Sequence, residues 1–127
     1  MIRVERAPTR PQLQTEAQIL REVLLAVSAL PGVLVWRQNS GLFYAPDGRG
    51  GFRRVRAAMP GAADLTGLLP DGRRLEIEVK TDRGRLRSEQ VRFAAAVLSH
   101  GGVYILARSV RDAVRGVLAE TARRGVA

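Results

Sequence analysis

Cysteine is absent from this 127-residue chain. Disulfides, cysteine-built zinc sites and thiol nucleophiles are therefore excluded. Histidine occurs once, as His100, which rules out a histidine-rich metal cluster and leaves no imidazole to spare for a Ser-His-Asp triad with further histidine ligands. No apolar run approaches the roughly 20 residues that cross a bilayer, and Met1 to Gln12 lacks the apolar centre of a signal peptide. A cytoplasmic location is the expectation from these absences. Lysine is nearly absent as well: of 21 basic side chains one is a lysine, Lys80, and the others are arginine.

Apolar residues make up 46% of the chain and are spread along it, enough for one globular domain with a real core. The formal net charge is +9. Such a surplus draws polyanions and releases counterions from a phosphate backbone, so nucleic acid is the partner that charge favours. A lone ammonium in an arginine-rich chain is a separate signal, because the two side chains are not interchangeable in chemistry.

No repeat or linker divides the chain. Residues 1–14 read as an irregular basic arm and residues 15–127 as a single domain. Thr15 and Gln18 form a capping box ahead of Ile19, Leu20, Val23, Leu24 and Val27, which recur at helical spacing. Pro31 and Gly32 stop that helix near Leu30. Val33–Gln38 reads as a strand, turned at Asn39, Ser40 and Gly41. Leu42–Tyr44 and Phe52–Arg56 read as short strands around a glycine-rich loop that carries Arg49. Asp64–Leu69 and Arg73–Lys80 form a hairpin across Pro70, Asp71 and Gly72, which suit a tight turn. Ser88 is a candidate cap for a second helix with Val91, Ala94, Ala95 and Leu98 as its core stripe. Val103–Ala107 is continuously apolar and reads as an interior strand. Ser109 and Asp112 form a second capping box before Val110, Ala113, Val114, Val117 and Leu118. The class is α/β, with a strand–helix–strand crossover between Glu78 and Ala107 in a mixed sheet.

Side chains alternate along a strand, so Leu75, Ile77 and Val79 share one face while Glu76, Glu78 and Lys80 share the other. A three-residue loop at Pro70–Gly72 makes the pairing symmetric about Asp71 and sets Asp64 opposite Glu78, with Cβ atoms about 5 Å apart. A slip of one residue would separate them. Two opposed carboxylates repel unless a proton or cation lies between them, and a hard divalent cation resolves the repulsion. A metal held by two carboxylates beside one ammonium, on a basic protein, suits phosphodiester hydrolysis. The alternative is an amphipathic edge strand with a surface Glu–Lys pair, and spacing alone leaves both open.

The ordered set of Pro60–Gly67 with Asp64, then Asp71-Gly72, Ile77–Thr81, Gly84–Gln90 with Phe93, and Gly101–Ser109 resembles the VRR-NUC family of the PD-(D/E)xK nuclease superfamily. Trp36, Arg37, Gln38 and Asn39 add to the likeness, which runs from about Glu16 onward. Ala63 stands where the superfamily motif has proline. The resemblance implies a restriction-endonuclease-like core, with a mixed central sheet flanked by helices in the order α-β-β-β-α-β-α. It implies a Mg²⁺ site in which Mn²⁺ substitutes, held by Asp64, Glu78 and the Val79 carbonyl. Lys80 would be the catalytic lysine, with Gln90 and Glu16 joining the site.

The same resemblance implies a bacterial or phage-encoded homodimer that cleaves DNA, branched or junction DNA in particular. Arg37, Asn39 and Arg53 are candidates to line a DNA groove, or else simply exposed strand residues. Arg83, Arg85 and Arg87 are candidates to grip phosphates. His100, at a helix end, is assigned no catalysis. Two alternatives stand beside this expectation: a basic nucleic-acid-binding module without catalysis, and the same fold used for restriction or RNA cleavage.

Overall fold

The computed structural model describes residues 14–38, 42–56 and 59–123, the side chains of residues 42, 43 and 56 excepted. Residues 1–13 of the expected arm at 1–14, and the turn at Asn39–Gly41, lie outside them. Helix α1 spans Glu16–Ser28. It starts where Thr15 Oγ1 accepts the Gln18 N–H and Gln18 Oε1 accepts the Thr15 N–H, the reciprocal box expected. Strands β1 (Leu34–Arg37), β2 (Leu42–Pro46), β3 (Phe52–Arg56), β4 (Leu65–Leu68) and β5 (Arg74–Val79) follow. Then come α2 (Ser88–Ser99), β6 (Val103–Ala107) and α3 (Val110–Ala122).

Four strands form one mixed sheet in the order β1-β4-β5-β6, and β2 pairs only with β3 in a separate hairpin. Without that inserted hairpin the chain order is α-β-β-β-α-β-α, as expected. β4 and β5 pair antiparallel, with Leu65 opposite Ile77 and Leu68 opposite Arg74. Leu69 N–H closes the turn on the Arg73 carbonyl. The hairpin is therefore symmetric about Asp71, and the strand–helix–strand passage returns β6 parallel to β5.

One face of the sheet is apolar. Val35, Leu65, Leu75, Ile77, Val79, Val103 and Ala107 pack there against Ile19, Val23 and Val27 of α1 and Ala113 and Val117 of α3. Cutting Ile77 back to alanine in such a core costs about 2–5 kcal/mol. Gly67 lies where β1 crosses closest: a Cβ there would stand 2.0 Å from the Leu34 carbonyl oxygen.

The opposite face carries Thr66, Glu76 and Glu78, all buried, and it lies beneath α2. This inverts the stripe expected for that helix. Val91, Ala95 and Leu98 are exposed and Ala94 is half-buried, while Gln90 and Val97 are buried. A polar sheet face is matched by a polar helix residue, and periodicity in α2 registers apolarity without showing which side finds a partner. β6 is an edge strand, not an interior one. Its continuous apolar run reflects cover on both faces by helices, which does not require a strand on both sides.

Two caps also differ from expectation. Arg87, not Ser88, is the N-cap of α2, and Gln90 Oε1 accepts its backbone N–H. Ser109 caps α3 by accepting the Asp112 N–H, but the Asp112 carboxylate reaches past it to the Arg108 N–H. No helix among the described residues is long and apolar enough to cross a membrane.

Candidate active site

Asp64 immediately precedes β4, and Glu78 lies near the end of β5. The pairing of Leu65 with Ile77 carries on by one residue to set Asp64 across from Glu78, on the α2 side of the sheet. Asp64 Oδ2 accepts the Val79 N–H at 2.8 Å, and the Asp64 carbonyl accepts the Gln38 N–H at 2.9 Å. These bonds hold the aspartate against β5 on one side and the end of β1 on the other.

Glu78 is only 4% exposed. Its Oε1 accepts from Gln90 Nε2 at 3.0 Å and faces Lys80 Nζ at 3.7 Å. Its Oε2 is buried and accepts no N–H from the groups around it, while the Asp64 carboxyl lies within hydrogen-bonding reach of Glu78. Burial, and then the Asp64 charge, push the Glu78 carboxyl up to about 7, with Lys80 pulling the other way. An interior strand with a buried carboxylate is not an amphipathic edge strand with a surface Glu–Lys pair. A buried carboxylate beside a second carboxylate fits a proton or a cation that the two share.

Lys80 is largely buried. Its N–H donates to the Ala107 carbonyl at 3.0 Å. A Cβ at Gly84 would stand 3.2 Å from the Lys80 Cβ and 3.3 Å from its Cδ, so the loop after β5 folds onto the lysine stem. Arg108 Nη1 pins that loop by donating to the carbonyls of Thr81 at 2.6 Å, Asp82 at 3.3 Å and Gly84 at 2.6 Å. Nothing in the residue pattern singles out Arg108, because its partners are carbonyls that only the fold gathers.

Gln90 joins two functions. Its Oε1 takes the Arg87 N–H at the start of α2, and its Nε2 holds Glu78. The segment before Asp64 is drawn against the same turn. Gly61 has φ of +81°, and a Cβ there would stand 2.2 Å from the Glu89 carbonyl oxygen. Glycine is required at that position on both counts.

Two further polar groups share this face. Glu76 is 1% exposed. Its Oε1 accepts from Thr66 Oγ1 at 2.7 Å and from the Arg74 guanidinium, while its Oε2 has no partner. Tyr104 pairs with Glu76 across β5 and β6, and its buried hydroxyl is also unpartnered. Burial and the carboxylates of Glu78, Asp64 and Glu76 push its phenol up, so it stays a neutral O–H. Strand alternation alone would have placed Tyr104 beside the glutamates once the β5–β6 register was known.

The other expected site residues are scattered. Glu16 is exposed in the first turn of α1. Among the described residues no group of three or more His, Cys, Asp or Glu side chains is placed to hold a metal ion. Arg37, Arg53, Arg83, Arg85 and Arg87 are exposed; Asn39 lies outside the described residues. A cavity of about 600 Å³ lies at the other end of α2, between Met59, Arg74, Phe93 and His100, and shares no lining residue with the carboxylate site. No protein-family model matches the chain, and no curated protein matches it.

Proposed function

We propose that the protein is a metal-dependent endonuclease that hydrolyses DNA phosphodiester bonds, as its resemblance to VRR-NUC nucleases implies. One observation carries this reading: Glu78 is a buried carboxylate set against the Asp64 carboxylate, between Gln90 and the sole lysine, Lys80. A fold that needed only stability gains nothing from that arrangement, since a buried charge without full partners is costly.

Asp64, Glu78 and the Val79 carbonyl are the groups that would hold Mg²⁺ or Mn²⁺. Two carboxylates and a carbonyl leave room for the waters a magnesium ion retains. Such a cation, when bound, polarises a phosphoryl oxygen and acidifies a water. The chain's own groups supply the rest. Gln90 fixes the Glu78 carboxylate by its amide. Lys80 offers a compact positive charge for the attacking water or for the extra negative charge of the transition state. The Arg108 clamp on residues 81–84 keeps the lysine stem in place. Arg83, Arg85 and Arg87, exposed on the loop beside the site, are suited to backbone phosphates.

The net charge of +9 by itself would equally serve a basic binding module without catalysis. The two readings separate on cleavage of labelled four-way-junction, forked and linear duplex DNA, with RNA alongside, in Mg²⁺, Mn²⁺ or EDTA. The wild type is compared with Lys80→Ala and Asp64→Ala. Metal-dependent cutting that both substitutions abolish while binding persists is the expected result. Binding without cutting in any metal would overturn the nuclease and leave the binding module.

A further inference from the structure

The inserted hairpin β2–β3 stands apart from the sheet, paired with no other strand among those described. An isolated two-stranded ribbon is marginal in water, so its tip and its faces need an account. The tip is built. Asp47 Oδ1 accepts the N–H groups of Arg49 at 2.7 Å and Gly51 at 3.0 Å, and the Asp47 N–H closes on the Gly51 carbonyl at 3.0 Å.

The faces are unusual for a soluble ribbon. Tyr44 pairs with Arg54 and Pro46 with Phe52, so Tyr44, Phe52 and Arg54 share one face. Tyr44 is 67% and Phe52 72% exposed. They stand on a cross-strand diagonal, within reach of one extended ligand. Four arginines, Arg49, Arg53, Arg54 and Arg56, are set against a single acid, Asp47. That acid is committed to the tip, and no ion pair joins Arg49, Arg53 or Arg54 to any described residue.

The ribbon is rooted beside the carboxylates. It leaves the sheet just after Gln38, whose N–H bonds to the Asp64 carbonyl, and the chain re-enters the sheet at Asp64 itself. Both roots of the insertion are at the carboxylate edge. A five-residue strand reaches roughly 17 Å from there.

We propose that the β2–β3 hairpin is a single-strand-reading arm, in which Tyr44 and Phe52 stack on unpaired DNA bases while Arg54, on the same face, holds a flanking phosphate. Exposed rings interleaved with cations of one sign match a strand of splayed bases, because every base has a face to stack and every linkage a charge to neutralise. A closed duplex hides those faces. The inference rests on the nuclease proposal only for the identity of the ligand.

The test is binding of the full chain, in EDTA, to fluorescent oligo-thymidine, a forked duplex with oligo-thymidine arms and a blunt duplex. The wild type is compared with Tyr44→Ala/Phe52→Ala, with Tyr44→Phe and with Arg54→Gln. The double alanine variant is expected to lose about ten-fold or more on the single strand and fork with little change on the duplex. Tyr44→Phe keeps the ring and should keep the preference. Arg54→Gln should weaken all three and flatten the salt slope by about 0.8.

Equal losses on duplex and fork, or no loss on either, would overturn the proposal. So would binding to anionic vesicles that the aromatic substitutions abolish while DNA binding stays intact. Because no metal is present, the outcome is independent of cutting. A cleaving enzyme whose aromatic variant keeps its preference sinks the arm alone, and selective loss in a protein that never cleaves sinks the nuclease alone.

Discussion

Gln90 Nε2 donates to Glu78 Oε1 at 3.0 Å while the Oε1 of the same amide accepts the Arg87 N–H at 2.9 Å. One side chain thus fastens the start of α2 to the buried glutamate of β5. A polar residue in a first helical turn usually serves only the cap; here the cap and the site share it.

Replacing Gln90 with alanine removes both bonds. The chain is expected to lose about 1–3 kcal/mol of stability and about ten-fold or more in Mn²⁺ affinity. Urea unfolding and calorimetric titration measure the two. Unchanged metal affinity would show that Gln90 serves the helix alone.

Glu78 has an unfolded-state value near 4.5 and a folded value near 7. The fold therefore holds the proton more tightly than the unfolded chain does. Its contribution is fully present below the unfolded value and is lost as pH rises through about 7. Metal-free protein should lose stability between pH 5 and pH 8 on this account. Glu78→Gln should abolish that part of the slope and gain roughly 1–3 kcal/mol relative to wild type at pH 8. Urea titrations at several pH values test the sign.

Cation binding runs the other way. A ligand carboxylate must be ionised, so added Mg²⁺ or Mn²⁺ should raise the melting temperature more at pH 8 than at pH 6. EDTA should erase the difference. A pH-independent metal shift would place the cation away from Glu78.

Gly61→Ala should disrupt the approach to Asp64 without touching a carboxylate. Its Cβ has no room against the Glu89 backbone, and the backbone is at positive φ. A loss of about 1–3 kcal/mol is expected from the conformation alone, with the cleavage rate falling further than Gly72→Ala would cause. Gly72 also has positive φ, but open space around it.

Arg108→Gln tests the loop clamp. Lysine occurs only at position 80, so isotope-labelled lysine yields one side-chain signal that reports Lys80 directly. Faster solvent exchange of that ammonium in Arg108→Gln, with kcat lowered and KM little altered, is expected of a positioning residue. An unchanged signal would make the clamp purely structural.

Much of the fold was legible in local pattern. The capping box at Thr15, the apolar spacing of α1 and the turn chemistry of Pro70–Gly72 are interactions between near neighbours in the chain. The hairpin register followed from that turn, and it set Asp64 across from Glu78 as alternation required. Composition identified Lys80 by its isolation among arginines.

The tertiary structure decided what local pattern has no access to. Burial of Glu76 and Glu78 depends on α2 lying over the polar face of the sheet, and that choice turned Gln90 inward and left Val91 and Leu98 in solvent. The edge position of β6, the Arg108 clamp across some 27 residues of chain and the burial of the Tyr104 hydroxyl are likewise set by how distant segments pack. Sequence specifies periodicity and turn chemistry because these act over a few residues. Which face is covered, and therefore which carboxylate is dry enough to change its proton affinity, depends on how whole elements pack.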